Sequence, residues 1–425
     1  MALRLGYTQT DVGVIPEDWD VKSVRELAQI TTGPFGTLLK ASEYSGIEGV
    51  PLISVGEVGD GSFRVTQHTP LVPPSVVRRL PQYLLRTGDI VFGRKGAVER
   101  SALVTESEDG WFLGSDGIRV RPMRGCFPSY LACQFQRYEV KTWLLQNATG
   151  TTMPSLNQGI LGRAQIPYAP LPEQRAIAAA LSDVDALLEG LTRLIAKKRD
   201  LKQAAMQQLL TGQTRLPGFR GEWKMKRLGE VGSVLRGVSY RGNSDLSGYD
   251  TVRTKRLLRS NNVQNAVVVT SEVQYVDAAR VSYSQVLSKN DILICMANGS
   301  KSLVGKAGLF VVNDGYEYTF GAFMGCFRTD AAFAHPRFVF SLFQTGRYRD
   351  YVSNFLAGSS INNLRPSLIA SLDFIFPALP EQTAIATVLS DMDAELSALE
   401  ARRAKTLDIK QAMMQELLTG RIRLV

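Results

Sequence analysis

Apolar residues recur along two stretches of the chain at spacings that alternate between four and three. The apolar positions are Ile177, Leu181, Val184, Leu188, Leu191 and Ile195 in the first stretch, and Ile385, Leu389, Met392, Leu396 and Leu399 in the second. This spacing is typical of a helix that packs one apolar seam against another helix in a coiled coil. The pattern therefore predicts two long helices and assigns these residues to the seam between them.

Start and stop signals bound both predicted helices. Pro172 and Pro380 suit the first helical turn, where a missing N–H costs nothing. Gly212 and Gly420 each follow Leu-Leu-Thr, as expected of a glycine just past a helix C-terminus. The first helix, from 172 to 211, would be roughly 60 Å long at the usual rise per residue.

The two helical stretches are copies of one sequence. "LPEQRAIAAALSDVDALL" begins at Leu171 and "LPEQTAIATVLSDMDAEL" at Leu379, which is 208 positions later (379 − 171). Residues 171–212 and 379–420 are identical at 26 of 42 positions, polar positions included. The repeat divides the chain into a globular segment, a helix, a second globular segment and a second helix.

The globular segments have the pattern of mixed α and β structure. "GDIVFGRKG" (88–96) and "NDILICMANGS" (290–300) each contain a polar turn, an apolar strand and a polar loop with glycine. Residues 150–174 also align without gaps to 358–382, and each block includes the proline that opens a long helix. Outside these blocks little similarity remains. The pattern predicts two domains with a common frame and different surfaces.

Chain geometry predicts that the helices run antiparallel. Each helix follows the last strand of its own domain, and the link "TGQTRLPGFRGEW" is too short to return along about 60 Å while also turning. The second helix must then run back along the first, in a pseudo-two-fold arrangement. The expected divisions are a first domain at 1–170, whose segment 1–18 closes onto the second helix, a first long helix at 171–212, a linker at 213–223, a second domain at 224–378, and a second long helix with its tail at 379–425.

Composition and charge narrow the class of partner. The net charge of the chain is +9, and residues 224–378 alone carry 18 Lys and Arg against 11 Asp and Glu. A basic folded domain, in contrast to a basic tail, favours a shaped nucleic-acid surface. The chain lacks an apolar run long enough for a membrane span and an apolar signal-peptide core, and its four cysteines and two histidines lack metal-site spacing. These features predict a cytoplasmic protein without a disulfide framework or a metal site.

At this point the residues resemble a known family. "IPEDWDVKSVRELAQI" near the N-terminus, the doubled "LPEQ" blocks, "LLTGQTRLPGFRGEWKMKRLGEV" and the closing "LLTGRIRL" are similar to the DNA-specificity subunit of type I restriction-modification systems. The resemblance covers essentially the whole chain. It implies an α+β fold in which two mixed α/β target-recognition domains are joined by two long antiparallel helices that form a coiled coil.

The resemblance also implies a function. Each recognition domain would read one half of a bipartite, asymmetric sequence in double-stranded DNA. The helices would set the spacer and dock two methyltransferase subunits, and a restriction subunit could join them. The specificity subunit itself would be non-catalytic and without a cofactor, while S-adenosylmethionine, and ATP with magnesium where a restriction subunit is present, would bind to the partner subunits.

The sequence independently lacks familiar catalytic motifs. Neither Asn-Pro-Pro-Tyr nor Asp-Pro-Pro-Tyr occurs, and no GxGxxG follows a strand. "GSKSLVGKAG" (299–308) resembles a phosphate-binding loop, but Ala307 follows Gly305-Lys306 where the motif needs Ser or Thr. These observations favour binding over catalysis.

Polar loops of the two domains supply the candidate DNA-binding residues. Arginine can bond bidentately to guanine, asparagine suits adenine, and small hydroxyl residues and lysine suit phosphate. A solvated surface turn or a helix cap would explain several of these residues equally well. The candidates are Arg94, Lys95, Thr151, Thr152, Asn157, Arg241, Arg253, Lys255, Arg256, Arg259, Asn298, Ser300, Lys301, Ser359, Ser360, Asn362, Asn363 and Arg365.

Two other classes of function stay open on the sequence. A single-chain, pseudo-dimeric DNA-modifying enzyme would need duplicated acidic residues at catalytic spacing, which the aligned blocks lack. A coiled-coil adaptor that does not bind DNA would leave two large, diverged domains unexplained. Magnesium-dependent cleavage by the purified chain and gel shift with and without a methyltransferase partner would discriminate these alternatives.

Overall fold

The computed structural model describes residues 5–150, 152–357 and 362–424. The chain divides into two compact units. Unit 1 comprises Met1–Thr192 and Arg402–Val425, and unit 2 comprises Arg193–Ala401. Thr151, Ser359 and Ser360, three of the candidate DNA-binding residues, lie outside the described residues.

Unit 1 is built on short sheets whose strands pair antiparallel, except for the parallel pair β5 and β9. Its main sheet has the order β4-β10-β7-β8, β3 pairs with β11, β1 pairs with β2, and a three-stranded sheet has the order β6-β5-β9. The strands are β1 Tyr7–Thr10, β2 Gly13–Pro16, β3 Asp20–Ser23, β4 Ala28–Thr32, β5 Val50–Ile53, β6 Leu71–Val72, β7 Ile90–Gly93, β8 Ser101–Leu103, β9 Phe112–Leu113, β10 Gly117–Pro122 and β11 Gln165–Tyr168.

Helices cover the main sheet of unit 1. The short helices are α1 Val24–Leu27, α2 Pro74–Arg79, α3 Pro128–Phe135, α4 Tyr138–Asn147 and α5 Gln158–Arg163. Phe92 on β7 meets Phe135 on α3 edge to face, with ring centroids 4.8 Å apart. β7 is buried at all four positions, because helices lie on one face of its sheet and the smaller sheet lies near the other.

Unit 2 repeats this frame. Its largest sheet has the order β13-β22-β19-β20-β17-β16, a second sheet has the order β14-β18-β15-β21, and β12 pairs with β23. The strands are β12 Lys224–Arg227, β13 Gly232–Arg236, β14 Leu246–Ser247, β15 Thr254–Leu258, β16 Val263–Gln264, β17 Val267–Val268, β18 Gln274–Asp277, β19 Ile292–Cys295, β20 Ala307–Leu309, β21 Tyr318–Phe320, β22 Met324–Thr329 and β23 Asp373–Phe376. The first four strands of the largest sheet follow the strand order of the main sheet of unit 1.

Three short helices of unit 2 match short helices of unit 1 in position along the chain. The short helices are α7 Gly242–Asp245, α8 Pro336–Leu342, α9 Gly346–Ala357 and α10 Pro366–Ala370. Pro128 and Pro336, which open α3 and α8, are 208 residues apart, as are the two LPEQ blocks. The repeat therefore extends from the long helices into the domains.

The two long helices are present as predicted. The α+β fold class is also confirmed. α6 spans Leu171–Leu210 and α11 spans Leu379–Leu417. In unit 1, Asp185 on α6 pairs with Lys410 on α11 at 2.6 Å, and Arg403 donates to the Thr192 hydroxyl at 2.9 Å. From the first pair to the second, the residue number on α6 rises and the residue number on α11 falls, so the helices run antiparallel in this unit.

The same direction holds in unit 2. Lys198 on α6 donates to Glu395 on α11 at 2.9 Å, and Lys202 pairs with Asp393. The residues of the predicted seam are less exposed than their helical neighbours. Ile177, Leu181, Leu191, Ile195, Ile385, Leu389 and Leu396 are buried, and Val184, Leu188, Met392 and Leu399 are half-buried.

Candidate nucleic-acid interface

Three polar loops meet at one edge of the main sheet of unit 1. We name them the glycine loop (33–36, after β4), the strand-end loop (93–96, after β7) and the pre-helix loop (described at 149–150 and 152–157, before α5). The Gly96 N–H donates to the Pro154 carbonyl at 2.8 Å, and the Leu156 N–H donates to the Arg94 carbonyl at 2.8 Å. The strand-end and pre-helix loops, which are far apart in sequence, therefore form one surface.

The glycine loop joins this surface through Arg94. The Arg94 guanidinium carbon lies 4.3 Å from the centre of the Phe35 ring, which is 47% exposed. Lys95 behaves differently, because its ammonium lies 3.4 Å from the carboxylate of Asp116. Sequence reasoning missed the glycine loop, although "TTGPFG" directly after a strand is a recognisable turn signal.

Glycine is required at the start of this loop for steric reasons. A Cβ on Gly33 would lie 1.7 Å from the Gly114 carbonyl oxygen, and a Cβ on Gly237 in unit 2 would lie 1.9 Å from that of Gly321. A side chain at either position would collide with backbone that has no room to move. Both units therefore use a glycine where the chain leaves the sheet.

Two of the three corresponding loops of unit 2, the strand-end and pre-helix loops, also meet. The glycine loop there is 237–242, the strand-end loop is 296–301, and the described part of the pre-helix loop is 362–365. The Leu364 N–H donates to the Met296 carbonyl at 2.7 Å, and the Asn362 amide donates to the Gly299 carbonyl at 3.2 Å. The Leu364–Met296 bond repeats the Leu156–Arg94 bond of unit 1.

Several candidate side chains in these loops have local structural partners. The Asn157 side chain accepts the Ile160 N–H at 2.8 Å and so caps α5. The Asn298 side chain accepts the Ser300 N–H at 3.0 Å, and Lys301 donates to the Leu356 carbonyl at 3.4 Å. These contacts fix the shape of the loops. Thr152, Ser300, Asn363 and Arg365 are polar residues of the same loops, and all four are exposed.

The profile of a known protein family matches most of the chain. It is described as the type I restriction modification DNA specificity domain, and it matches twice, at residues 16–197 and 220–408. The chain belongs to this family.

Individual members of the type I specificity family agree with this assignment. The chain is 30% identical over 200 residues to the type I restriction enzyme StySPI specificity subunit of Salmonella potsdam. This alignment covers 47% of this chain and 42% of that protein. The matched region thus spans less than half the length of this relative.

Solved structures of the type I system share the fold. The type I restriction-modification S subunit from M. genitalium superposes with a TM-score of 0.59 at 14% identity, covering 98% of both chains. A chain from a structure of complex assembly and conformational transition of the type I restriction-modification system superposes with a TM-score of 0.58 at 17% identity, covering 96% of this chain and 99% of that one. Because the sequence identities are this low, the two superpositions show only that the fold is shared.

The basic segment 252–262 of this family member is divided between internal and exposed cations. Arg256 bonds Asp250 and the Tyr318 hydroxyl, each at 3.0 Å, and covers the Tyr316 ring. Burial opposes the charge of Arg256, but the hydrogen bonds to Tyr318 and Asp250 outweigh it and raise its pKa. Lys255 pairs with Glu317.

The remaining cations of this region differ in exposure. Arg253 and Arg241 are exposed, and the structure gives neither side chain a hydrogen bond or ion pair within the described part of the chain. Arg259 is half-buried, and its Nε lacks a hydrogen-bond partner among the described residues. The backbone N–H of Arg241 donates to Asp245 at 2.7 Å, and this bond lowers the pKa of that carboxyl.

Other chemistry is sparse in the described ranges. Over residues 5–150, 152–357 and 362–424, no group of three or more His, Cys, Asp or Glu side chains could hold a metal ion. Nor does any helix within those ranges have the length and hydropathy needed to cross a membrane. The four cysteines are unpaired, and burial raises the pKa of Cys126 to about 12 and that of Cys133 to about 11.

Proposed function

We propose that this chain is the DNA-binding specificity subunit of a type I restriction-modification complex, and that each domain reads one half of a bipartite, asymmetric site. The observation that carries the proposal is a repeated frame with different residues at its loop surface. Hydrogen bonds at matching places hold the loops together in each unit, while the exposed side chains on those loops differ. Two similar scaffolds with unlike loop surfaces suit two different half-sites.

The charge distribution supports DNA as the ligand. Residues 224–378 carry 18 cations against 11 anions, and at least Arg241 and Arg253 among them are exposed without an intramolecular partner in the described ranges. Free guanidinium groups at a surface can neutralise phosphates and release their counterions. In this proposal the exposed cations hold the backbone while the polar loops contact base edges.

The long helices carry a surface that suits a protein partner. Leu187, Leu194 and Leu201 are 43%, 39% and 47% exposed and repeat every seven residues along α6. Beside the helices of unit 2 lies a cleft of about 1480 Å³, whose lining includes Met206, Val267 and Phe340. The three leucines do not line this cleft, and exposed apolar residues of this kind are by themselves typical of protein interfaces. We assign this surface to a methyltransferase subunit, with two such subunits per complex and a restriction subunit as a further partner.

No cofactor is assigned to this chain in the proposal. The partner subunits would bind S-adenosylmethionine, and a restriction subunit would bind ATP and magnesium. The contribution of this chain to methyl transfer, to adenine in the simplest form of the proposal, is then to select the DNA sequence and to hold the enzyme subunits over it.

Methylome sequencing of the host strain tests this function. Deleting the gene should abolish methylation at one bipartite, asymmetric motif, and restoring the gene should restore the same motif. A matched complementation with the Leu194→Glu, Leu201→Glu double variant should fail, because the partner would not dock. An unchanged methylome after deletion would contradict the proposal.

Assays on purified proteins separate the alternatives. The lone chain should neither methylate nor cleave DNA, and the chain with a methyltransferase subunit should shift a duplex that contains the motif. Magnesium-dependent cleavage by the lone chain would favour the single-chain enzyme. A complex that forms but never shifts DNA would favour the adaptor.

A further inference from the structure

Arg94 differs from Lys95, the other cation of the unit 1 loops, in how it is held. Its backbone is fixed on both sides, since its N–H donates to the Asp116 carbonyl at 2.8 Å and its carbonyl accepts the Leu156 N–H at 2.8 Å. Its guanidinium lies over Phe35 at 4.3 Å. Stacking against a ring occupies the face of the guanidinium and leaves the N–H groups along its edge available.

The charge of Arg94 has no counter-ion in the described part of the chain. The nearby Asp116 carboxylate pairs instead with Lys95, at 3.4 Å. Among the described residues the Arg94 side chain makes neither an ion pair nor a hydrogen bond. A half-buried, pre-oriented guanidinium with free N–H groups is suited to a planar pair of acceptors from a ligand.

This feature is absent from the corresponding position of the described part of unit 2. The Leu156–Arg94 hydrogen bond of unit 1 corresponds to the Leu364–Met296 bond of unit 2, where Leu364 is 208 residues after Leu156. Met296 is 5% exposed and has no charge. The guanidinium is therefore not needed to build the loop frame, which forms equally well around a buried methionine. A residue that the frame does not require and that differs between the units is placed to confer specificity.

We infer that Arg94 reads a guanine in the half-site of the first domain. Its guanidinium would donate two hydrogen bonds to O6 and N7 on the major-groove edge of that base, the pair of acceptors that distinguishes guanine from the other bases. Phe35 is the positioning residue, because it holds the guanidinium plane in one orientation. The inference rests on the proposed function and adds to it one base and one residue.

The test is selection of binding sites from a duplex library in which both half-sites and the spacer are randomised. The full-length chain is assembled with its methyltransferase subunits, and wild type is compared with Arg94→Ala, Arg94→Lys and Phe35→Ala. Lys141→Ala is the control, since Lys141 is a cation of unit 1 outside the three loops and is paired with Asp60 at 2.6 Å. Arg94→Lys keeps the charge and the stem, so the assay stays decisive even if Arg94→Ala fails to fold.

The wild-type motif should contain a guanine at one position where both Arg94 variants lose selectivity, on the order of 10- to 100-fold against the other bases. All other positions of the motif should stay unchanged, as should the whole motif in Lys141→Ala. Phe35→Ala should weaken selectivity at the same position only, and Phe35→Tyr should restore it. A structural role for Phe35 would instead affect every position equally.

Two results would overturn the inference while the proposed function stands. In the first, the Arg94 variants return the wild-type motif with wild-type affinity. In the second, they bind all sequences more weakly with the same motif and a smaller salt dependence, which is the behaviour of a phosphate contact. A wild-type complex that selects no motif would instead contradict the proposed function itself.

Discussion

The guanidinium of Arg423 and the carboxylate of Glu173 form a two-bond ion pair, with N–O distances of 2.6 and 2.8 Å, although 250 positions separate them. The Glu173 side chain is fully buried, and its second donor is the indole N–H of Trp19 at 2.9 Å. Arg423 also bonds Asp18 through two nitrogens, and these bonds lower the pKa of that carboxyl. The first turn of α6, the N-terminal segment and the tail after α11 are thus tied together.

Unit 2 repeats this arrangement with its own residues. Arg215, after α6, bonds Glu381, in the first turn of α11, at 2.9 and 2.6 Å. Both arginines and both glutamates are related by the 208-residue repeat. The next residue of each LPEQ motif also has a fixed role, because Gln174 accepts the Phe127 N–H and Gln382 the His335 N–H, each just before a short helix.

Arg423→Ala should destabilise the chain by about 3 kcal/mol, because it leaves the buried Glu173 carboxylate without its counter-ion. Adding Glu173→Gln should recover part of this loss, since a neutral amide tolerates burial better. The measurement is urea unfolding followed by circular dichroism. Arg421→Ala is the control, because its ion pair with Glu416, at 3.5 Å, is exposed. Equal midpoints for the two alanine variants would show that the buried pair adds no stability.

Ala266→Gly should stabilise the chain by about 1 kcal/mol, because alanine is strained in the left-handed region. Asn265 and Ala266 connect β16 to β17 with φ values of 49° and 66°. A two-residue hairpin turn with positive φ at both positions prefers Asn-Gly. The control is Ala331→Gly, at an exposed position without positive φ, which should be neutral or slightly destabilising. Thermal unfolding of both variants checks the sign.

Neutralising the basic segment should separate DNA contacts from structural ion pairs. Arg241→Gln with Arg253→Gln should weaken DNA binding and reduce the log–log salt slope by up to about 0.9 for each phosphate that is no longer neutralised. Arg256→Met should instead lower stability, because it leaves Asp250 and Asp314 without their shared partner. Binding isotherms at several salt concentrations, beside melting curves, distinguish the two outcomes. A slope that stays constant in the double variant would place Arg241 and Arg253 away from DNA.

Leu194→Glu with Leu201→Glu should abolish binding of a methyltransferase subunit while both domains stay folded, because the leucines are exposed and charge opposes an apolar contact. The matched change on α11 is Ile409→Glu, at the position 208 residues after Leu201. The α11 positions that correspond to Leu187 and Leu194 are occupied by the charged residues Glu395 and Arg402. We expect this variant to assemble. Leu396→Ala should instead destabilise the helix pair by about 2 kcal/mol or more. Size-exclusion chromatography with the partner reports assembly. Normal assembly of the double glutamate variant would exclude the exposed leucines of α6 as the docking surface.

The half-chain 1–212 should fold and form a two-fold dimer. The Asp185–Lys410 pair of unit 1 and the Lys202–Asp393 pair of unit 2 are related by the repeat, because 185 + 208 is 393 and 202 + 208 is 410. Two copies of α6 could therefore form an Asp185–Lys202 pair twice, as an isologous contact requires. Glu395 corresponds to Leu187, so the half-chain dimer would have no equivalent of the Lys198–Glu395 pair.

Light scattering at micromolar concentration measures the mass of the half-chain. Lys202→Glu should weaken the dimer, and adding Asp185→Lys should restore it. With its partner, the dimer should methylate an inverted repeat of the first half-site. A half-chain that stays monomeric would show that the two helix copies are no longer interchangeable.

The repeat and the long helices could be predicted from the sequence because their signals are local. The heptad spacing from Ile177 to Ile195, the prolines at the helix starts and the glycines at the ends each act over a few residues. The polar loops at 93–96 and before Asn157 were also recognisable as loops, because each follows or precedes an apolar run.

Only the tertiary structure decided which of these residues act together. Antiparallel pairing of β10 with β4 and β7 brings the glycine loop beside the strand-end loop, and this places Phe35 under Arg94. Parallel pairing of β15 with β21 brings Tyr318 to Arg256 and removes that cation from the free surface, whereas Arg253, three residues earlier, stays exposed. The physical reason is that the availability of a charge depends on the acceptors around it, and strand pairing supplies those acceptors from distant positions along the chain, as the separation of 62 residues between Arg256 and Tyr318 illustrates.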